Sequence, residues 1–229
     1  MPKYTTADIR NIALTGGAGT GKTTLVEHIL HNAGVIGRAG KVEEGNTVCD
    51  YDELSKEFKH SFDSTIVHFD YENAHINLVD TPGSGDFLGK TISVFPAVET
   101  VAVVIDAAAG IETVTRRVMK IAAERDLPRL IIVNKIDHAT DLLDLVGAIQ
   151  ETFGSICKPV NLPKDGGKGV IDCFSNATGS SVGRSHLFMK VKIGTPRWRQ
   201  TSKSLRVCAS MPFPASITIT TESTAVSTR

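Results

Sequence analysis

The sequence is poor in everything that would place it in a membrane or tie it together covalently. No apolar stretch approaches the roughly 18 residues of a bilayer-spanning helix, so no membrane partner is expected. The first residues, Met-Pro-Lys-Tyr-Thr-Thr-Ala-Asp-Ile-Arg-Asn, are too polar for a secretory leader. Cysteine is scarce: Cys49, Cys157, Cys173 and Cys208 stand apart, with no C-x-x-C pair. That spacing indicates neither a zinc site nor a disulfide framework, and free thiols in a reducing cytoplasm are the expectation. Net charge is lacking too, with 25 basic residues against 25 acidic ones. The balance hides an asymmetry. Between Ser181 and Arg229 there are eight Lys or Arg and one Glu, so the preceding part is acidic and the tail basic. A sign change at one point suggests two segments of different role or origin.

What is present is a regular alternation of strand and helix patterns, in a chain of 229 residues that suits one α/β domain plus an appendage. Short apolar runs predict strands at 9–15, near 64–70 and 74–80, at 100–106 and at 129–134. Helical spacing of apolar residues predicts helices at 22–32 (Leu25, Ile29, Leu30), 112–125 (Val114, Val118, Ile121, Ala122) and 140–153 (Leu142, Leu145, Val146, Ile149, Phe153). Such alternation predicts an α/β fold with a mostly parallel sheet flanked by helices. The polar, Gly-bearing stretch 33–61 breaks the pattern and lies where a nucleotide-ordered segment would lie. After Gly154 the order weakens: 159–169 reads as a loop, 170–174 as one more strand, and beyond Gly179 no period persists.

Three signals follow apolar runs in one order. The first, Gly16-Gly17-Ala18-Gly19-Thr20-Gly21-Lys22-Thr23, satisfies G-x-x-x-x-G-K-[ST] and is followed by Thr24. Its glycines let backbone N–H groups face an anion, Lys22 supplies positive charge, and Thr23 offers a hydroxyl to Mg²⁺. Between a strand and a helix N-terminus, such a loop is a phosphate site of a P-loop NTPase fold. The second signal, Asp80-Thr81-Pro82-Gly83, ends the 74–80 strand. Asp80 can hold Mg²⁺ through water, and the Gly83 N–H can meet a γ-phosphate. The third, Asn134-Lys135-Ile136-Asp137, ends the 129–134 strand. Asp137 can accept from guanine N1–H and its 2-amino group, donors that adenine does not offer, while the Lys135 stem lies along the base. Together they predict GTP/GDP with Mg²⁺.

These residues resemble the GTPase domain of elongation factor G, in its branch of elongation-factor-G-like paralogues. Beyond the three signals, Gly37-Arg38-Ala39-Gly40-Lys41-Val42, Asp50-Tyr51-Asp52 and Glu57 fall where that family has its switch segment. Pro159-Val160-Asn161-Leu162-Pro163 and Gly169-Val170-Ile171-Asp172 look like the start of its insert. The resemblance covers residues 8 to 179. It implies GTP hydrolysis in translation, with the ribosome as partner. The expected organisation is a GTPase core at 1–154, an insert-like region at 155–179 and an irregular basic tail at 180–229. By the family's spacing Ser61 holds the place of the Mg²⁺-binding switch threonine, beside Thr23 and Asp80. Lys22, Gly83 and Ser84 are the expected catalytic positions.

Two departures matter. Gly19 stands where the family usually has aspartate, and Ser84 stands where it carries the histidine that positions the attacking water. Serine is short and brings no cation, so hydrolysis is expected to be slow or triggered differently. A GTP/GDP-binding switch with little hydrolysis and a truncated non-functional product are the alternative readings. The family's Ser-Ala base-reading motif is not evident; Ser175-Asn176-Ala177 is a weak candidate. The tail, with Arg184, Lys190, Lys192, Arg197, Trp198, Arg199, Lys203 and Arg206, reads either as a frame-shifted, disordered end or as an RNA contact.

Overall fold

The computed structural model describes residues 4–139, 141–164, 169–172, 178–179 and 187–191. Four parallel strands form its centre: β1 (Ile9–Gly16), β3 (Ala74–Asp80), β4 (Thr100–Asp106) and β5 (Arg129–Asn134). β2 (Thr65–Tyr71) lies antiparallel on the outer edge of β3. Its alternation is that of an edge strand, with Val67 and Phe69 buried and Ile66, His68 and Asp70 exposed.

Period two in the central strands divides the apolar residues between two cores. Ala13, Val101, Val103, Ile105, Ile131 and Val133 face one side, where they meet α4 (Thr113–Glu124) and α5 (Leu142–Phe153). Ile12, Leu14, Ala102, Val104, Leu130 and Ile132 face the other, where they meet Leu25, Val26 and Leu30 of α1 (Lys22–Asn32). Each fully buried Leu or Val contributes about 1.5–3 kcal/mol, so both faces must stay covered. This is the expected helix-flanked, mostly parallel sheet.

The strand order begins β2-β3-β1-β4-β5 and continues with β10 (Leu187–Val191) and β6 (Cys157–Pro159). The chain passes from β1 to β3 on one side and then to β4 on the other. That reversal opens a crevice at the carboxyl ends of β1, β3 and β4, where ligands of open α/β sheets bind.

Two departures from the sequence reading lie after Gly154. The expected loop at 159–169 contains the end of β6 and all of β7 (Asn161–Lys164), and β7 joins β8 (Gly169–Asp172) and β9 (Thr178–Gly179) in a separate antiparallel sheet. Within the stretch expected to be irregular, β10 pairs antiparallel with both β5 and β6 in the main sheet. β6 and β10 depend on partner edges far away in sequence, and β7 is only four residues long, so local pattern gives little sign of them. The candidate Ser175-Asn176-Ala177 and most of the basic tail lie outside the described residues.

Candidate functional site

Residues 16–21 turn from β1 into α1. Gly16 has φ +135°, and a Cβ there would run into the Val104 carbonyl of β4. Only glycine lets β1 end this close to its neighbour. The Thr20 hydroxyl donates to the Gly17 carbonyl at 3.0 Å and closes the turn, while Ala18 and Gly19 form an exposed tip. Lys22 opens α1 and folds back beneath the loop. Its Nζ donates to the carbonyls of Gly17 at 2.7 Å and Gly16 at 3.3 Å. Burial lowers its pKa, against the opposing charges of Asp80 and Glu112. A buried ammonium at a helix N-terminus favours an anion over the loop.

Asp80 ends β3 within reach of that helix. Its Oδ2 accepts from the Thr23 hydroxyl at 2.6 Å. Its Oδ1 is buried and has no hydrogen-bond partner of good geometry, although the Cys49 thiol lies beside the carboxylate. Burial pushes the Asp80 carboxyl up to about 6; Lys22 and the Thr23 hydroxyl pull it down, and Asp50 adds to the rise. An orphaned carboxylate oxygen costs about 1–3 kcal/mol where it stands. Beside a threonine hydroxyl, it is also an oxygen donor pair suited to a hard cation such as Mg²⁺. The residues fit that ion.

The four residues after β3 divide in role. Thr81 is fully buried, and both its N–H and its hydroxyl donate to the Leu14 carbonyl, at 3.2 and 2.9 Å. The Pro82 carbonyl accepts from Thr91 at 3.0 Å, on α3 (Leu88–Ser93). These two hold the loop to the framework. Gly83 faces the phosphate loop: a Cβ there would lie 2.5 Å from Lys22 Nζ and 2.6 Å from the Gly17 carbonyl. Ser84 is half-buried and caps the short 3₁₀ turn Gly85–Phe87, its hydroxyl accepting from the Asp86 N–H at 3.4 Å.

The third signal reaches the same loop. Asn134 Nδ2 donates to the Thr20 carbonyl at 2.9 Å, and Lys135 Nζ donates to the Gly19 carbonyl at 2.7 Å. Lys135 has φ +56°, a left-handed conformation that is uncommon away from glycine and is held here by surrounding contacts. Its ammonium also pairs with Asp106 at 2.8 Å. Burial alone would raise the Asp106 pKa, but Lys135 and the N–H groups of Ala108 and Ala109 hold it below the usual carboxylate range. Asp137 sits in the 3₁₀ turn Ile136–His138, 3.6 Å from His138 Nε2. Thr24 is exposed on α1.

The 33–61 stretch is more ordered than its composition suggests. It carries a 3₁₀ turn, Val42–Glu44, and a short helix α2, Glu53–Phe58, capped by Asp52. Glu27 of α1 is almost fully buried and receives the N–H of Gly40 at 2.8 Å and of Val48 at 2.5 Å, so it fastens this stretch to the helix. Cys49 and Asp50 are buried beside Asp80. Ser61 lies in the loop between α2 and β2, and no hydrogen bond joins it to Thr23 or Asp80. Phe62 stacks edge-on against Phe58 and Phe87, with ring centroids 5.7 and 5.3 Å apart, and joins this stretch to the loop after Gly83.

Sequence reasoning missed Glu27, Asp106 and Glu112, and placed Asp50 only within the switch-like run Asp50-Tyr51-Asp52. Asp106 had a signal, since it ends an apolar strand as Asp80 does. Glu27 and Glu112 lack a motif; only the packing of distant segments brings them here.

The pattern described as "Elongation factor Tu GTP binding domain" matches residues 7–224, reaching past the point where the motif resemblance stops. An elongation factor G-like protein of Mycobacterium tuberculosis is 36% identical over 170 residues, covering 74% of this chain and 24% of that protein. Peptide chain release factor 3 of Gloeothece citriformis is 36% identical over 200 residues, covering 84% of this chain and 36% of its own length. A solved structure from Thermus thermophilus is 36% identical with a TM-score of 0.69, over 72% of this chain and 26% of that one. The chain thus spans between 24% and 36% of the length of these relatives. Among the described residues no helix is long and apolar enough to cross a membrane.

Proposed function

This chain belongs to the elongation factor Tu GTP-binding domain family, and from that membership we propose that it is the guanine-nucleotide-binding part of a translational GTPase of the elongation factor G type. In this reading it acts in the cytoplasm with the ribosome as partner and hydrolyses GTP to GDP. The observation that carries the reading is the convergence of two loops on the phosphate loop. Thr23 meets Asp80, Gly83 faces Lys22 and Gly17, and Asn134 and Lys135 brace the carbonyls of Thr20 and Gly19.

Each chain residue then has a task. The loop N–H groups and Lys22 hold the β- and γ-phosphates and offset their charge. The Gly83 N–H meets the γ-phosphate and ties its presence to the 83–87 segment. Asp137 selects guanine by accepting from its N1–H and 2-amino groups, and Asn134 keeps the phosphate loop in register with the base side. Thr23 and Asp80 would hold Mg²⁺, with Ser61 joining them if its loop closes over the site. Held there, Mg²⁺ would supply positive charge that offsets the negative charge of the phosphates.

A second reading, a guanine-nucleotide switch with little hydrolysis, draws on Ser84. Its hydroxyl caps the 85–87 turn, and its side chain is too short to organise water at a distance.

Competition for the purified chain against a fluorescent guanosine diphosphate tests the assignment. GTP should displace the probe with Mg²⁺ present, and ATP should be at least about 100-fold weaker, because Asp137 would face adenine unpaired. Equal displacement by ATP would sink the guanine assignment.

A further inference from the structure

Glu112 stands at the N-cap of α4, where short polar side chains ordinarily accept from the first N–H groups of the helix. Here it makes no such cap bond. Its carboxylate reaches back to the phosphate loop and fills the space that a side chain on Gly17 would take. Gly17 is buried, and its carbonyl is the 2.7 Å acceptor of Lys22 Nζ, whose charge feels that of Glu112. On the other side, a Cβ on Gly85 would meet Val114 at 3.8 Å, so the first turn of α4 also packs against the loop after Gly83. Glu112 therefore lies between the two loops that face the terminal phosphate, with acceptor lone pairs uncommitted among the described residues.

We propose that Glu112 positions the attacking water in GTP hydrolysis, the part for which Ser84 is too short. The inference rests on the hydrolysis reading above. The water donates one O–H to the Glu112 carboxylate, which turns its lone pair toward the γ-phosphorus. A bond forms from water oxygen to phosphorus, and the bond to the bridging oxygen breaks, its electron pair leaving with GDP. One water hydrogen stays on the new phosphate and the other passes to a phosphate oxygen. Gly17 is the counterpart of this arrangement, because any larger residue would push the carboxylate away.

The test is single-turnover hydrolysis at saturating MgGTP by the full chain, with nucleotide affinity measured alongside. Glu112→Ala should slow hydrolysis at least about tenfold with affinity nearly unchanged. Glu112→Gln keeps an acceptor oxygen in the same place and should retain most of the rate. Gly17→Ala should slow the wild-type chain but add little to Glu112→Ala, since both remove the same contact. A wild-type rate for Glu112→Ala, or parallel loss of rate and affinity in both Glu112 variants, overturns the proposal. A wild-type chain that binds GTP selectively yet never hydrolyses it overturns the hydrolysis reading and this inference with it.

Discussion

Asp80→Asn should make the nucleotide-free, metal-free chain more stable, although it removes an expected ligand of Mg²⁺. The Asp80 carboxyl is pushed up to about 6 by burial, against an ordinary value of 3.8. A carboxyl with a raised folded pKa holds its proton longer in the folded state than in the unfolded one. Its ionisation therefore weakens the fold: stability is highest below the unfolded value and is lost as pH rises through about 4 to 6. A difference of about two pH units corresponds to roughly 3 kcal/mol, an upper bound for so buried a group. Asparagine carries no charge to desolvate and can still accept from Thr23. Urea unfolding with chelator, across pH 4 to 8, should give an advantage of Asp80→Asn over wild type that grows through that window and then levels off. Saturating MgGTP should reverse the order, because only the wild type gains the full linkage of metal and nucleotide binding. A difference that is flat across pH, or an Asn variant that is the less stable at pH 7.5 without ligand, would refute the desolvation argument.

Other outcomes follow from neighbouring contacts. Glu27→Ala removes the acceptor of the Gly40 and Val48 N–H groups and should cost about 2–4 kcal/mol, with faster amide exchange concentrated in residues 40–50. Uniform acceleration across the chain would count against a local fastening. Ser84→His should raise ribosome-stimulated hydrolysis by about 100-fold, the lower end of the usual scale of a general acid–base group; no change would refute the role assigned to that position. Lys135→Ala frees Gly19 and Asp106 together and should weaken nucleotide binding by at least about tenfold, as expected when a charge-assisted bond is lost. It should also raise the Asp106 pKa. The depressed Asp106 pKa stabilises the fold above about pH 4 and is lost as pH falls, so the variant should show a weaker acid dependence.

The central fold was legible because its signals are local. The runs at 100–106 and 129–134 are buried on both faces, and only strands of that length between turn signals suit such runs. The helices at 22–32 and 142–153 were marked by apolar residues at 3.6 spacing, and Leu25, Leu30, Leu145 and Ile149 are indeed buried. The meeting of the three loops was legible for the same reason. Each motif sits at a strand end, and parallel strands deliver their ends to one edge of the sheet. The region after Gly154 was not legible. β6 and β10 are short and owe their existence to non-local pairing partners, and β7 is only four residues long and carries Pro163.

The sequence by itself determined the parallel core, the order of the three loops and the candidate residues Lys22, Asp80, Asn134 and Asp137, since period, spacing and motif chemistry are properties of neighbours along the chain. Tertiary structure alone decided the rest. It turned Thr81 into a framework residue, buried Asp80 until its carboxyl rises to about 6 and fastened 40–48 through Glu27. It also set the Glu112 carboxylate against Gly17. Burial and electrostatic environment are sums over atoms that meet only when distant segments pack, and no local pattern encodes them.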